Sequence, residues 1–448
     1  MIALFIAYFV VGIAIIIIFY ITSLIFISHE KVKDFKEKLC LIVPLYCILL
    51  WAIYYIFAGW FFLTPNYDFF NYYYCGKRVL KRPYDLYEDD FEYGYRYGYK
   101  YLPVFAILIG IPLSLFPTIE MAYYTFYIIN IFLGLIFTWL FNILLKLLNV
   151  NEAFHRFLFL LVISNGWIVL QLYANNQIKY FVGILIMIII LREIKYEKYQ
   201  IKKDFKYYFI NLNVFVFIIG LAQYFIFLLI IYLFHDISKN DLFKWENIKK
   251  YITIIISFLL QNLLFLIYPR LIFDFYEIYL KEQRRNDVKL KHFYLEYIDD
   301  YVITLPSIYK FYISLILNII LYSVVLILTI YKRISLIEKF GYFCLAFLYL
   351  NYIAYRILLN LIPFVCVLLI PYLNQKKRGF EFIKENFTIL LCLISISGIF
   401  FTPHKEAFSY PFIEGIYIGY LIFMISFGVS FLVLIFKNKK HIRNDTLT

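Results

Sequence analysis

The stretch Ile2–Ile27, IALFIAYFVVGIAIIIIFYITSLIFI, carries no charge over a length that, as a helix, crosses about 30 Å of hydrocarbon. A second such stretch, Leu39–Leu63, LCLIVPLYCILLWAIYYIFAGWFFL, follows after one short charged run. Each reads as a membrane-spanning helix, because a chain inside lipid must satisfy its own backbone hydrogen bonds. The first lacks the basic start, short core and small-residue cleavage site of a secretory signal, so it is expected to remain as an uncleaved helix. The pattern continues along the chain. Of 448 residues, 64% are hydrophobic and 16% charged, with a mean hydropathy of +0.78; a soluble domain is about 45–50% apolar. This excludes a soluble domain with one anchor. It predicts an all-α polytopic membrane protein, one continuous domain over residues 1–448 with about 11 to 13 transmembrane helices.

The net charge of +13 points to membrane orientation and not to nucleic acid, because the lysines and arginines fall in short loops between apolar segments. Six basic runs, Lys31–Lys38, Arg192–Lys206, Lys239–Lys250, Lys332–Lys339, Lys376–Lys384 and Lys437–Arg443, are placed on the cytoplasmic side. Alternation then puts three polar stretches outside: Thr64–Lys100, Pro269–Asp300 and Thr402–Gly415. Five of the six cysteines lie in or beside apolar runs and only Cys75 lies in a polar loop, so no disulfide framework or metal spacing follows. The 23% aromatic content is ascribed to interfacial belts and codon bias.

Between Lys100 and Arg192 four apolar segments occur where an odd number of crossings is required. One of them must stop short. Phe157–Tyr173 and Ile178–Leu191, divided by Ala174-Asn175-Asn176-Gln177, are the expected place for a broken or re-entrant segment. Tyr207–Phe234 has basic runs on both sides and Gly220 in its middle, and is read as a hairpin that returns to its own side. No internal repeat, linker or low-complexity region is visible.

The first outer loop, 64–100, holds the chemistry. It opens Asn66-Tyr67-Asp68-Phe69-Phe70-Asn71-Tyr72-Tyr73-Tyr74-Cys75-Gly76 and continues to Leu80, Pro83, Tyr84 and Tyr87. If Asp68–Leu80 is helical, Asp68, Tyr72, Gly76 and Leu80 share a face at i, i+4 spacing. A carboxylate then stands at the start of an amphipathic helix on the membrane surface. Position alone leaves two roles open for Asp68: capping the helix or catalysis.

The residues Asp68, Phe69, Tyr72, Tyr73, Gly76, Leu80, Pro83, Tyr84 and Tyr87 resemble the signature of glycosyltransferase family 87, multi-spanning enzymes of the C-type superfamily that use polyprenol-phosphate sugars such as polyprenol-phosphate-mannose. Tyr101-Leu102-Pro103-Val104-Phe105-Ala106, followed by Ile111-Pro112-Leu113-Ser114-Leu115-Phe116-Pro117, resembles that family's next segment, with Leu102 where the first proline of a pair is usual. Asn175-Asn176-Gln177 matches a G-Q-x-N turn only in character. The resemblance implies a C-type glycosyltransferase-like bundle with helical outer loops and Asp68 as general base. A carboxylate would take the acceptor hydroxyl's proton on the face opposite the leaving phosphate, so the anomeric centre inverts.

The leaving lipid phosphate needs positive charge beside it. Candidates are Arg356, in Asn351-Tyr352-Ile353-Ala354-Tyr355-Arg356, and Lys281, Arg284, Arg285, Lys289, Lys291 and His292 of outer loop 269–300, expected to bind substrate. Against this, Arg356 reads equally as paired or snorkelling, and the second loop as a solvated amphipathic helix. Bacterial relatives tend to carry a histidine-bearing motif before a Pro-containing helix; here Ile362-Pro363-Phe364 stands without it. His404, like His292, reads first as an interfacial residue. Tyr72 and Tyr73 join the expected substrate-binding set. Asp85, Glu88, Asp89, Asp90 and Glu92 form an acidic patch that could hold a divalent ion but lacks defined ligand spacing and reads first as a solvated loop. The resemblance implies an enzyme that works without metal, so no metal and no cofactor is expected.

The activity expected is transfer of a hexose, mannose by the resemblance, from a polyprenyl-phosphate sugar to a glycolipid or surface-glycan acceptor at the non-cytoplasmic face of the cell membrane, with lipid and no nucleic acid as partner. A transporter would need paired broken helices and midplane charge; Gln223, Gln261 and Asn262 are polar but uncharged. A multi-pass flippase of lipid-linked saccharides is opposed only by the Asp68 loop.

Overall fold

In the computed structural model of the chain the described residues are 67–88, 99, 101–150, 155, 176–235, 237, 241–285, 306–330 and 334–350. The expected spans Ile2–Ile27 and Leu39–Leu63 lie outside them, as do Arg356, His292 and His404. The chain divides into two compact units, and apart from 148–150 and 155 the described residues belong to the one formed by Ala52–Leu147 and Leu170–Phe364.

Every element there is helical: α1 (Tyr67–Lys81), α2 (Pro103–Ser114, with a π-helical stretch at Ala106–Gly110), α3 (Ile119–Leu147), α4 (Lys179–Lys198), α5 (Phe205–Leu221), α6 (Ile226–His235), α7 (Trp245–Gln261), α8 (Leu263–Ile267), α9 (Arg270–Arg285), α10 (Ser307–Ile330) and α11 (Leu336–Leu350). Among the described residues one helix, α3, is long and apolar enough to cross a membrane; α2, α5, the Gln223–His235 segment and the Leu315–Ile330 part of α10 are shorter apolar helices.

The two ends of α3 orient the rest. Near its start Tyr123 meets Phe69 of α1, edge to face at 5.0 Å. At its far end the Leu147 carbonyl accepts from Lys198 Nζ at 3.1 Å. Helix α4 begins beside Tyr123, where Asn176 donates to the Tyr123 carbonyl, and finishes at Lys198, so it runs the full length of α3. Helix α2 does not. Tyr101, Gly110 and Phe116 all touch α1, through Tyr72, Gly76 and Tyr73 respectively, so residues 101–116 stay at the Asp68 end. Pro103–Ser114 is thus a short segment held at the Asp68 end, while Phe157–Tyr173, the first half of the pair expected to be broken around Asn175, lies outside the described residues. A Cβ on Gly76 would stand 1.9 Å from the Gly110 carbonyl oxygen, and one on Gly110 2.6 Å from Cys75 Sγ. Only two glycines permit this crossing.

The hairpin expected over Tyr207–Phe234 is present. Helix α5 ends at Ala222, whose extended backbone (φ −156°, ψ 89°) breaks the helical run, and α6 returns. Its antiparallel course is fixed by Tyr232, whose hydroxyl accepts from Asn211 Nδ2 at 3.1 Å and whose ring lies 5.1 Å from Phe215 and 6.2 Å from Tyr208. The hairpin tip reaches α2: Gly220 leaves no room for a Cβ beside Val104. Helix α7 climbs from the same end as α5, with Lys250 Nζ 3.8 Å over the Tyr208 ring, and breaks at Asn262, whose Oδ1 accepts from the Val104 N–H at 3.3 Å. That bond satisfies one of the donors left open at the start of α2.

Among the described residues, parts of three basic runs, Arg192–Lys206, 241–250 and 334–339, lie toward one end; Lys31–Lys38, Lys376–Lys384 and Lys437–Arg443 lie outside them. Glu193, fully buried at the close of α4, accepts from Lys203 Nζ at 2.7 Å, from the Tyr207 hydroxyl, and from Asn211 Nδ2 at 3.4 Å. A buried carboxylate persists only with such partners. Helix α11 rises from the same end, Phe340 meeting Phe215 and Phe347 meeting Tyr224 near the hairpin tip.

Apolar faces point outward. On α7, Ile252, Ile255, Ile256, Leu259 and Leu260 are exposed, while Asn247, Thr253 and Ser257 are buried. On α3, Met121, Tyr124, Ile128, Phe132, Ile136 and Trp139 are exposed at i, i+3/i+4 spacing, and Asn130 and Thr138 are buried.

Candidate functional site

Asp68 is the second residue of α1. Within the first helical turn, open N–H groups and the helix dipole favour a carboxylate, whichever of the two roles it plays; its side chain lies outside the described residues. The following turns are anchored inward. Phe69, Tyr72, Tyr73 and Cys75 are buried. Tyr72 packs among Phe69, Tyr101, Phe105 and Phe126, with its hydroxyl 3.3 Å from that of Tyr101. The Tyr73 hydroxyl donates to the Phe116 carbonyl at 3.0 Å. Leu80, expected on the Asp68 face, is 54% exposed.

The residues after α1 have local reasons. Pro83 opens a short 3-10 turn, Pro83–Asp85, where its missing N–H costs nothing. Tyr84 is exposed, whereas Tyr87 is buried and donates to the Tyr101 carbonyl at 2.9 Å. The nearly buried Arg78 donates to the carbonyls of Asp85 (3.2 Å) and Glu88, so two of the five acidic residues after Pro83 are engaged through their backbone; Asp89, Asp90 and Glu92 lie outside the described residues. Burial pushes the Cys75 thiol and the Tyr87 hydroxyl well above their ordinary values, so both stay neutral.

The stretches 64–100 and 269–300, both expected outside, meet through aromatic rings. Tyr87 lies 5.3 Å from Phe275 of α9 and 6.4 Å from Phe265 of α8. Helix α9 ends at Arg284 and Arg285, whose side chains are outside the described residues. Of the expected site set, then, Tyr72 and Tyr73 form part of the packed face under Asp68, and the helix bearing Arg284 and Arg285 is tied to the same loop at its other end. Three positions were not singled out as site residues from sequence. Gly110 is the second half of the crossing, Arg78 holds the loop after α1, and Asn130 binds Asn176 in the bundle interior. The signal for Asn130 was an amide alone in a long apolar run.

No family model matches the chain, and no curated protein or solved structure is significantly similar to it.

Proposed function

We propose that the chain is a multi-pass membrane glycosyltransferase of the C-type, with about 11 to 13 transmembrane helices, that moves a hexose, mannose in the first instance, from a polyprenyl phosphate to a glycolipid or surface-glycan acceptor at the non-cytoplasmic face of the membrane. The acceptor oxygen attacks the anomeric carbon as the bond from that carbon to the phosphate oxygen breaks. The acceptor's proton passes to the Asp68 carboxylate, and polyprenyl phosphate leaves with the bonding electrons. One displacement inverts the anomeric centre.

The observation that carries this reading is the packing of α1. The apolar and glycine positions just after Asp68 are explained by the crossing on α2, with Phe69, Tyr72 and Tyr73 buried and Gly76 against Gly110. The crossing does not itself call for an acidic residue at the head of that helix; the place suits a cap or a base, and the resemblance carried by the whole loop supports the base. Membrane embedding is supported by helices that turn aliphatic side chains outward and amides and hydroxyls inward, the reverse of what water selects. The test is transfer of labelled sugar from polyprenyl-phosphate-mannose by membranes holding native protein or Asp68→Asn in equal amounts. Loss with the variant folded supports the assignment. Equal transfer by both removes Asp68, and no transfer by either across several donors favours a flippase.

A further inference from the structure

Asn176 is fully buried and adopts a left-handed backbone (φ 47°), a conformation asparagine tolerates better than most residues. Its amide makes two bonds to α3. Nδ2 donates to the Tyr123 carbonyl at 2.9 Å, and Oδ1 accepts from Asn130 Nδ2 at 2.7 Å. The two attachment points are about two turns apart on the buried face of α3, so one side chain fixes both height and rotation of the turn that starts α4. The contact continues toward Asp68. The Tyr123 ring meets Phe69 edge-on at 5.0 Å, and Phe126 lies 5.9 Å from Phe69 and 6.1 Å from Tyr72. Phe69 is the residue next to Asp68. Buried amides are costly unless paired, and three of the four side-chain amide atoms that meet here are: Asn176 Nδ2 with the Tyr123 carbonyl, and Asn176 Oδ1 with Asn130 Nδ2. Asn130 Oδ1 has no partner among the described residues, so it is the two bonds made that specify one arrangement.

We propose that Asn176 and Asn130 are a positioning pair for the head of α1: they hold Tyr123 and Phe126 as the seat of Phe69 and so set where Asp68 stands. The proposal rests on Asp68 being the base. Displacing a catalytic group by about 1 Å costs on the order of 100-fold in rate, which is the scale of effect the pair can exert without touching substrate.

The test uses full-length protein in lipid nanodiscs, native against Asn176→Gly, which keeps the left-handed backbone and removes the amide, and Asn130→Leu, which removes the donor from the other side. Hydrogen exchange of residues 71–76 is expected to rise about tenfold in both variants while exchange of residues 212–221 in α5 stays as in the native protein. Exchange in 71–76 unchanged, or raised equally in α5, overturns the proposal whatever the activity. With polyprenyl-phosphate-mannose as donor, kcat is expected to fall about 10- to 100-fold with donor KM within about twofold; a native kcat, or a loss confined to KM, also overturns it. Asp68→Asn assayed beside them separates the two ideas. If Asp68→Asn transfers normally the base assignment fails, and if it is inactive while both asparagine variants match the native enzyme only the positioning pair fails.

Discussion

At Tyr73 a single hydroxyl joins α1 to the end of α2, through its bond to the Phe116 carbonyl. Tyr73→Phe keeps the ring and removes the bond, so thermal unfolding in detergent should show a loss of about 1 kcal/mol with the fold retained. A null effect would mean that the carbonyl finds another donor. Cys75 and Tyr87 predict a pH dependence. Burial raises the thiol above its ordinary 9.0 and the phenol above its ordinary 10.0. For groups raised in the folded state, the stabilisation of the neutral form is complete below the unfolded value and is lost as pH climbs toward the folded one. Stability should therefore be flat below about pH 9 and fall above it, with a smaller alkaline fall in Cys75→Ala; equal falls in both would take Cys75 out of the effect. At this scale the sequence was legible for Asp68 at the head of a helix and for Tyr72 and Gly76 on one face. It was silent on Arg78, and it marked Asn176 only as part of a polar break, because the partners of both lie across a loop or on another helix and leave no periodic trace.

Among elements, the α1 helix and the α5–α6 hairpin were readable because their signals are local: i, i+4 spacing in one, and Gly220 between two basic runs in the other. The course of α2 was not. Leu102–Phe116 reads as one more apolar segment, and what keeps it at the Asp68 end is the approach of Gly110 to Gly76, a contact between residues far apart in the chain. Pro103–Ser114 is therefore a short segment that the sequence did not single out, and Phe157–Tyr173, where a break was expected, lies outside the described residues. Gly76→Ala places a methyl group on backbone atoms that cannot move aside, and should cost about 1–3 kcal/mol or abolish folding. Unchanged thermal stability of that variant would show that α1 and α2 cross elsewhere. The break at Asn262 makes a gentler test of the same region: Asn262→Leu strands the Val104 N–H and should destabilise by about 1–3 kcal/mol.

For the molecule as a whole, the apolar composition predicts lipid, and α3 and α7 turn apolar side chains outward while Asn130, Thr138, Asn247, Thr253 and Ser257 are buried. A spin label at Ile255→Cys, on the exposed face of α7, should collide freely with dissolved oxygen and hardly at all with a water-soluble nickel chelate in reconstituted vesicles. The reverse would mean that this face looks into water. Among the described residues, parts of three basic runs lie toward one end of the helices, and α1 with the start of 269–300 lies at the other. On the proposed reading, a base for an external acceptor belongs at the end opposite the lysines, and Asp68 stands at that end. The most direct test of the whole account is sugar transfer from polyprenyl-phosphate-mannose in membranes carrying native protein or Asp68→Asn at matched abundance. The account predicts transfer by the native protein and a loss of at least about 100-fold in the variant; equal transfer by the two would contradict it.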